Sequence, residues 1–358
     1  MKNKFRILVA PLNWGLGHAT RSIPIINELL KNNIEVVLVS NNGAGAFLKK
    51  EFPQLEYYEL AGINLNYGNN LIRSIFAQFP KVIKSFFLER SFINNKIIDL
   101  NIDGIISDSR FGLYSSKVFS IYITHQLNIQ VPKYLFFLSN ILNFLHHKII
   151  SKYSKCWVLD TNFENNFAGN LSLAKKDFTN IKYIGPITRF KKKAKNKKNI
   201  FLAILSGPEP HRTNFELILI HQAFENNVNL TIVRGINGTE NPFKISNKVT
   251  IYNTANTKLL TKLLDDSELL ISRSGYSTLM DLSVLEKKAI LVPTPGQTEQ
   301  EYLATYHKSK NNFYFVDQNK FNLKDILNIK TSLKDYKYPK NTSSSLNKII
   351  KDFLQHLK

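Results

Sequence analysis

Cysteine is nearly absent from this sequence, and its scarcity excludes several classes of protein. Cys156 is the only cysteine among 358 residues, so a disulfide-stapled scaffold and a multi-cysteine zinc or iron–sulfur site are excluded. No apolar run reaches the roughly 18–20 residues that a membrane-spanning helix needs. The first residues also lack the small-residue cleavage site of a secretion signal. We therefore expect a cytoplasmic protein, either soluble or peripheral at the inner face of the cytoplasmic membrane.

Acidic residues are scarce relative to basic ones. The 27 Asp and Glu residues face 48 Lys and Arg residues, which gives a formal net charge of +21. Such an excess indicates a solvated basic surface that attracts anions weakly. No motif combines stacking aromatic and basic residues at a known spacing, so nucleic acid is not an expected partner. With 43% hydrophobic and 12% aromatic residues the chain can bury a large core, and its length favours two domains.

Short apolar strands alternate with helical segments through the first half of the chain. A helix is predicted over Arg21–Lys31, where apolar residues recur at the three- and four-residue spacing of one helix face. Strands separated by helices pair in parallel through crossover connections, so the pattern predicts a doubly wound α/β sheet. The predicted strands of this half are 5–10, 34–40, 104–108, 120–124 and 156–160.

The alternation stops near Tyr183–Arg189 and restarts after a lysine-rich segment, 190–199. Like charges in such a run repel each other, so the run predicts a solvated linker. We expect two similar Rossmann-like α/β domains, 1–188 and 189–358, facing across a cleft, with a final helix that can pack back on the first domain. The predicted strands of the second half are 200–205, 230–235, 249–252, 269–272 and 289–292, and its first helix is 214–226.

Two apolar stretches with basic residues among or beside them, 71–90 and 133–151, allow two interpretations. Either they lie in a membrane interface with Lys and Arg near the headgroups, or they are amphipathic helices that cover the sheet. The first interpretation adds an anionic membrane surface to the expected partners.

A glycine-containing segment, Asn13–Arg21, follows the first predicted strand and precedes the first predicted helix. Gly15 and Gly17 allow close backbone approach, and the N–H groups of a helix N-terminus attract anions. The segment lacks the third glycine of the dinucleotide-binding fingerprint, which disfavours a dehydrogenase. His18 lies in this predicted loop and can accept a proton near neutral pH, so it is a candidate catalytic base. Arg21 and Arg110 lie in or beside predicted loops, where a guanidinium can bind phosphate or carboxylate.

The second half repeats this arrangement at two strand ends. Ser206 and Gly207 follow one predicted strand, where their backbone N–H groups and the hydroxyl can contact phosphate. The segment Arg273–Asp281 follows another strand and opens a helix near Tyr276, so its polar groups are candidates to bind a nucleotide diphosphate. The candidates in this segment and in the loop after the next strand are Arg273, Ser274, Gly275, Ser277, Thr278, Asp281, Gln300 and Glu301.

These landmarks together resemble the GT-B glycosyltransferases, and most closely glycosyltransferase family 28. The resemblance rests on Gly15–His18 near the start and on the segments Arg273–Gly275 and Gln300–Glu301. It implies two Rossmann-like domains, the first binding the acceptor and the second binding a nucleotide sugar, taken here as a UDP-sugar. The nucleotide sugar is a substrate, so no cofactor is implied. The acceptor, a glycan or a lipid-linked hydroxyl, is not identified.

The resemblance also implies roles for individual residues of this chain. Tyr252 and Asn253 would border the base, and Asp281 would bind the ribose, where the family has a glutamate. On the acceptor side His125 matches a second position that lines the cleft. The remaining implied donor contacts are Ser206 and Gly207 and the segment Ser274–Thr278 for the phosphates, and Gln300 with Glu301 for the sugar.

The expected reaction is an inverting transfer in which His18 takes the proton of the acceptor hydroxyl. Asp108, at the end of a predicted strand, would orient His18 or bind the acceptor, or else cap a helix. No Asp-x-Asp cluster is present, so no metal site is expected. The alternatives are an enzyme like UDP-N-acetylglucosamine 2-epimerase on the same fold and, from another class, a basic nucleic-acid-binding protein.

Overall fold

The computed structural model describes residues 4–62, 71–131, 136–163, 166–174, 179–191, 200–236, 238–311, 313–333 and 345–357. The chain divides into two compact units, one formed by Met1–Ile187 with Lys340–Lys358 and the other by Thr188–Pro339. The second unit therefore ends earlier than the expected second domain, 189–358, because the C-terminal segment of the chain belongs to the first unit. Most of the predicted linker, 192–199, lies outside the described residues.

The first unit is built on a seven-stranded parallel sheet. Its strands are β1 (Arg6–Pro11), β2 (Glu35–Ser40), β3 (Glu56–Glu59), β4 (Gly104–Asp108), β5 (Phe119–Thr124), β6 (Lys155–Val158) and β7 (Ile181–Tyr183). They are arranged in the order β3-β2-β1-β4-β5-β6-β7, so the chain runs outward from β1 and then crosses back to the other side of it. The central strands are rich in Val, Ile and Leu because helices cover both faces of the sheet.

The second unit repeats the plan with one antiparallel edge. Its strands are β8 (Phe201–Ile204), β9 (Leu230–Val233), β10 (Phe243–Lys244), β11 (Val249–Tyr252), β12 (Leu269–Ser272), β13 (Ala289–Leu291) and β14 (Tyr314–Phe315). The order is β10-β11-β9-β8-β12-β13-β14, in which only the pairing of β10 with β11 is antiparallel. The doubly wound α/β architecture predicted for both halves is confirmed.

Helices connect the strands in both units. They are α1 (Leu16–Lys31), α2 (Asn42–Glu51), α3 (Leu71–Asp99), α4 (Phe136–Ile150), α5 (His211–Glu225), α6 (Thr257–Asp266), α7 (Tyr276–Leu285), α8 (Thr298–Ser309), α9 (Leu323–Ile329) and α10 (Leu346–Gln355). The apolar stretch 71–90 thus lies in α3, and most of the stretch 133–151 forms α4, while its first three residues lie outside the described residues. Every described helix is too short or too polar to serve as a membrane span.

The last helix, α10, completes the core of the first unit. Its residues Ile349, Ile350 and Phe353 share one face and are buried. The ring of Phe353 packs 6.0 Å from those of Phe119 and Trp157. Burial of this apolar face explains why the C-terminal segment packs in the first unit, although it follows the second unit in the sequence.

The structure differs from the predicted elements mainly at short edge strands. Four strands of two to four residues each were not predicted from the sequence, namely β3, β7, β10 and β14. A strand this short at a sheet edge has no continuous apolar run and too few residues for an alternating pattern. The central strands agree with the prediction to within one or two residues because burial on both faces requires a continuous apolar run.

Candidate active site

Each of the two sheets has one point at which its strand order reverses, and several candidate residues follow the two strands that flank this point in their own sheet. The reversal lies between β1 and β4 in the first unit and between β8 and β12 in the second. In open α/β sheets the loops at the carboxyl ends of such strands form a crevice that binds ligands. Each unit is described separately below.

Gly15 starts helix α1 and brings two polar side chains onto one face. Its φ of 83° lies in the left-handed region that favours glycine. The helix begins directly after it, five residues earlier than predicted, so His18 and Arg21 lie one turn apart on α1. The segment predicted as a loop is therefore a helix N-terminus. Gly17 lies inside this first turn, where its carbonyl accepts a 3.0 Å hydrogen bond from the Thr20 hydroxyl.

Asp108, the last residue of β4, joins these two side chains. Nδ1 of His18 lies 3.0 Å from Oδ1 of Asp108. Arg21 donates from Nε to Oδ2 of Asp108 at 2.6 Å and from Nη2 to Oδ1. The Asp108 and Arg21 side chains are only 3% exposed, whereas 14% of the His18 side chain is exposed. A fully hydrogen-bonded buried pair thus holds an imidazole that reaches the surface.

Burial and the neighbouring charges together lower the pKa values of both Asp108 and His18. Burial alone would raise the pKa of Asp108, but the Arg21 guanidinium and His18 outweigh it and hold the pKa well below its usual range. Burial and the charge of Arg21 lower the pKa of His18, although Asp108 favours the protonated ring. At neutral pH the cluster therefore contains an ionised carboxylate beside a neutral imidazole, which suits His18 to accept a proton.

His125, predicted on the acceptor side, joins the same cluster. It follows β5 directly and is buried, and its Nδ1 lies 3.1 Å from Nη1 of Arg21. Arg21 is thus in contact with two histidines and one aspartate, from α1, β4 and the end of β5.

Arg110, predicted on the acceptor side, makes most of its hydrogen bonds within the first unit. Its side chain is buried and pairs with the buried Glu89 of α3, Nε to Oε1, at 2.9 Å. Its Nη2 donates to the backbone carbonyls of Leu60 and Ala61. Arg110 therefore ties α3 to the sheet.

In the second unit, Ser206 and Gly207 follow β8 and are exposed. Gly207 has a φ of 102°, and a Cβ atom on it would lie 3.3 Å from Oγ1 of Thr294. A side chain at this position would be strained and crowded, so glycine is required here. The turn keeps the backbone N–H groups and the Ser206 hydroxyl at the surface beside the strand end.

The helix α7 follows β12, the strand that pairs with β8 in the sheet. Gly275 precedes the helix, and Ser277 and Thr278 are half-buried in its first turn. Ser274 differs from the prediction, because its hydroxyl is buried and donates to the Gln300 carbonyl at 3.2 Å. The remaining candidates for contact with an anion at this helix start are the N–H groups of the first turn and the hydroxyls of Ser277 and Thr278.

Arg273 also differs from the prediction. Its guanidinium is 1% exposed and donates to the carbonyls of Val292, Pro293 and His211 and to Oε1 of Gln318. It also lies over the Phe215 ring. With these partners it joins β12 to three other segments of the second unit.

Asp281 lies on α7 about one turn beyond Ser277. Its Oδ1 accepts a 2.6 Å hydrogen bond from the hydroxyl of Thr188, a residue for which the sequence held no motif. Burial raises the pKa of Asp281 to about 6, against the opposing effects of Thr188 and Arg189. This carboxyl group is therefore set to titrate near neutral pH.

Gln300 and Glu301 brace the loop that precedes α8. The Gln300 carboxamide accepts from the Thr294 N–H at 2.9 Å and donates to Oε1 of Gln297 at 2.6 Å. Oε1 of Glu301 accepts from the Gly296 N–H at 2.8 Å. Both predicted sugar-binding side chains thus hold the loop in shape.

A charged network that the sequence analysis did not assign supports the predicted base-binding position. Arg234, after β9, pairs with the buried Glu216 at 2.6 Å and donates to Oδ1 of Asn253 at 3.1 Å. Asn253 follows Tyr252, which is half-buried at the end of β11. The signal in the sequence was the position of Arg234 beside a predicted turn. Within the described ranges no group of three or more His, Cys, Asp or Glu side chains is placed to hold a metal ion.

Comparison with known sequences shows what the second half of the chain is similar to. Residues 202–357 match the model of the glycosyltransferase family 28 C-terminal domain. A curated relative is the UDP-N-acetylglucosamine–N-acetylmuramyl-(pentapeptide) pyrophosphoryl-undecaprenol N-acetylglucosamine transferase of Buchnera aphidicola subsp. Schizaphis graminum. It is 23% identical over 372 residues, which cover 98% of each chain.

Solved structures share the fold over the full length of the chain. The glycotransferase of kitacinnamycin matches with a TM-score of 0.62 at 13% identity, covering 100% of this chain and 95% of that one. SnogD of Streptomyces nogalater gives 0.61 at 10% identity, with 99% and 95% covered. MurG of Acinetobacter baumannii gives 0.56 at 14% identity, with 98% and 99% covered. The chain is a glycosyltransferase with the GT-B fold, and its residues 202–357 are similar to the glycosyltransferase family 28 C-terminal domain.

Proposed function

We propose that this enzyme transfers a hexosyl or N-acetylhexosaminyl group from a UDP-sugar to an acceptor hydroxyl, with inversion and without a metal ion. The observation that carries the proposal is the cluster of His18, Asp108 and Arg21 at the switch point of the first unit. It supplies a buried, ionised carboxylate that orients a neutral imidazole, which is the arrangement that general-base catalysis needs.

The base in this proposal is Nε2 of His18. A neutral imidazole carries one proton, and when Nδ1 donates that proton to Asp108 the lone pair of Nε2 is available. The acceptor oxygen forms its bond to the anomeric carbon as its proton moves to Nε2. The bond from that carbon to the diphosphate oxygen breaks, and the electron pair leaves with the diphosphate. Attack from the face opposite the leaving group inverts the anomeric configuration.

The leaving diphosphate is assigned to the second unit. The first turn of α7, with Ser277 and Thr278, and the turn at Ser206–Gly207 present N–H and hydroxyl donors at adjacent strand ends. Such donors stabilise phosphate charge through direct hydrogen bonds and the helix dipole, so the proposed mechanism includes no metal ion. Asp281 is assigned to the ribose hydroxyls, for which an ionised carboxylate is a strong acceptor.

A lipid-linked acceptor at an anionic membrane face is the proposed partner of the first unit. The name of the Buchnera relative includes a pyrophosphoryl-undecaprenol acceptor. In this chain α3 and α4 both border Phe111, three residues after Asp108, and both expose large apolar side chains. Phe87 is 64% exposed and Phe137 is 70% exposed. Exposed apolar side chains with lysines nearby favour contact with anionic lipid.

A donor panel tests the proposal. Thermal shift with UDP-, TDP- and GDP-sugars identifies the nucleotide, and release of UDP is then followed with undecaprenyl-linked and soluble glycan acceptors. We expect UDP-sugars to stabilise the protein and an acceptor to be glycosylated with inverted stereochemistry in the presence of EDTA. A retained configuration, or activity that EDTA abolishes, would contradict the mechanism. Release of a free epimerised sugar without an acceptor would favour the epimerase alternative.

A further inference from the structure

A cavity of about 290 Å³ lies between α10 and the strands β5, β6 and β7 of the first unit. It is separate from the candidate active site, because Phe119 and Lys155, which line it, are the first residues of β5 and β6. The His18 cluster lies at the opposite, carboxyl ends of the strands, where Asp108 ends β4 and His125 follows β5. At a rise of about 3.3 Å per residue, the length of β5 separates the two edges of the sheet by roughly 16 Å. The proposed function assigns no donor or acceptor group to this cavity.

One face of the sheet supplies half of the cavity wall. Side chains alternate between the two faces along a strand, so Phe119 and Ile121 share a face. The parallel register pairs Ile121 with Lys155 and Trp157 with Lys182, and paired residues point to the same side. All five side chains line the cavity. This face therefore presents three apolar side chains and two ammonium groups to one space.

Helix α10 supplies the opposite wall and leaves the cavity open to solvent. The Phe353 ring packs 6.0 Å from the rings of Phe119 and Trp157, which gives the cavity an aromatic base. The His356 ring stacks on Phe119 with the ring centroids 4.5 Å apart and the planes nearly parallel. Gln355 and His356 both line the cavity and are exposed, so a small molecule can enter at this end of the helix.

The charges around the cavity do not cancel. Among the described residues that line it, Asp352 is the only acid, and it pairs with Lys182 at 2.7 Å. Lys155 is half-buried and has neither an ion pair nor a side-chain hydrogen bond in the described ranges. The ring nitrogens of His356 have no hydrogen-bond partner in the same part of the chain. The cavity therefore contains one uncompensated ammonium group above an aromatic base, and an anion can pair with it.

We propose that this cavity is a second small-molecule site, which binds a carboxylate carried on a compact apolar body. Lys155 is assigned to the carboxylate, and the rings of Phe119 and Trp157 are assigned to the body. Sites for small molecules typically enclose roughly 300–1,000 Å³ and combine apolar walls with a few polar groups, so a cavity of this size suits a small ligand. Such a ligand bridges β5 and β6 to α10 and thereby stabilises the docked helix.

Binding is tested on the full-length protein without donor or acceptor, so the outcome does not depend on glycosyl transfer. The chain has two tryptophans, and in Trp14→Phe the fluorescence comes from Trp157 inside the cavity wall. Octanoate and phenylacetate supply the carboxylate on an aliphatic and on an aromatic body. We expect at least one of them to change the fluorescence saturably. Acetate and the matched alcohols, octan-1-ol and 2-phenylethanol, should bind about tenfold more weakly, because each lacks one half of the ligand. Absence of a saturable change with both carboxylates, or equal binding of the alcohols, would overturn the proposal.

Two variants in the same background should change the affinity in opposite directions. Lys155→Met keeps the length of the side chain but removes the ammonium group, and Kd should rise about three- to tenfold for a half-exposed ion pair. Lys152→Met is the matched control, since Lys152 is exposed three residues earlier and does not line the cavity. Asp352→Asn removes the opposing carboxylate and releases Lys182, so binding should tighten, which mere damage to the fold would not cause. Unchanged affinity in Lys155→Met, or weaker binding in Asp352→Asn, would refute the assignment.

Discussion

The hydroxyl of Thr188 donates a 2.6 Å hydrogen bond to Oδ1 of Asp281. Thr188 is the first residue of the second unit, and Asp281 lies on the helix whose N-terminus is assigned to the diphosphate. The bond therefore ties the start of the unit to the residue assigned to the ribose. It also opposes the effect of burial on a carboxyl group with a pKa raised to about 6.

Replacing Asp281 should weaken nucleotide binding. Asp281→Ala removes a charged acceptor for two ribose hydroxyls, and we expect UDP affinity to fall by about 1.5–3 kcal/mol. Isothermal titration calorimetry measures the change, and 2′-deoxy-UDP serves as the matched ligand. If the variant is folded and binds UDP as tightly as the wild type, the ribose assignment is wrong.

The raised pKa of Asp281 predicts a pH dependence of stability. The folded protein binds this proton more tightly than the unfolded chain, so the contribution of Asp281 is favourable below the ordinary pKa of 3.8 and is lost as pH rises through about 6. Relative to Asp281→Asn, which does not titrate, the wild type should therefore lose stability between pH 4 and pH 7. Urea unfolding of both proteins across this range measures the difference. A constant difference would show that the carboxyl group does not titrate there.

Replacing His18 should lower the turnover number and leave the affinity for the donor nucleotide almost unchanged. His18→Ala removes the proposed base, and turnover should fall by about 10²–10⁴-fold. UDP affinity should change little, because the proposed donor residues belong to the other unit. His18→Asn keeps polarity without a basic nitrogen, and near-normal turnover in it would move the base to Asp108 or His125.

The pH–rate profile gives an independent check on His18. Burial and Arg21 lower the pKa of His18, and the base is active when neutral. As pH falls, activity should therefore persist to below the ordinary histidine pKa of 6.5 and be lost only at a lower pH. Arg21→Lys keeps the charge but not the planar contact with Asp108. We expect it to shift the acidic limb and to lower turnover, while UDP affinity stays at the wild-type value.

Arg273 should affect stability instead of donor contact. Arg273→Ala leaves several backbone carbonyls without a donor, and we expect a loss of about 2–5 kcal/mol in unfolding free energy. Chemical denaturation measures the loss, and calorimetry at low temperature measures UDP binding to the folded fraction. A selective loss of UDP affinity with unchanged stability would restore Arg273 as a phosphate ligand.

The exposed side chains on α3 and α4 should mediate membrane binding. Flotation with anionic vesicles should recover the wild-type protein at low salt. The double variant Phe87→Ser with Phe144→Ser should bind more weakly, because two exposed aromatic rings are lost from the proposed interface. Leu217→Ser in the second unit is the matched control, since Leu217 is 59% exposed on α5. No flotation of the wild type would favour helices that only cover the sheet.

Phe353 should report on the placement of α10 in the first unit. Its ring is buried against Phe119 and Trp157, so Phe353→Ala should destabilise the protein by about 3–5 kcal/mol. The exposed Gln355→Ala is the control on the same helix. Tryptophan fluorescence follows the transition, and an unchanged midpoint would show that α10 does not stabilise this core.

The amino-acid sequence by itself determined the types and order of the central elements. Strands β4 and β12 each contain adjacent Ile or Leu residues and are buried along their whole length, because helices cover both faces of the sheet, and each was predicted with its observed bounds. Glycine and hydroxyl residues shortly after strands also indicated where strands end. A turn with positive φ requires glycine at Gly207, and the start of a helix favours a hydroxyl residue such as Ser277. The strands that escaped prediction lie at edges, where partial exposure leaves no such run.

Only the tertiary structure decided which polar side chains meet. Three arginines beside predicted loops looked alike in sequence, yet Arg21 joins the candidate base whereas Arg110 and Arg273 turn inward. The reason is that a buried guanidinium must find acceptors, and those acceptors come from distant parts of the chain. Arg110 finds Glu89, 21 positions away, and Arg273 finds Gln318, 45 positions away. The spacing of neighbouring residues cannot predict such pairs, because only the crossover topology of the sheets brings their side chains together.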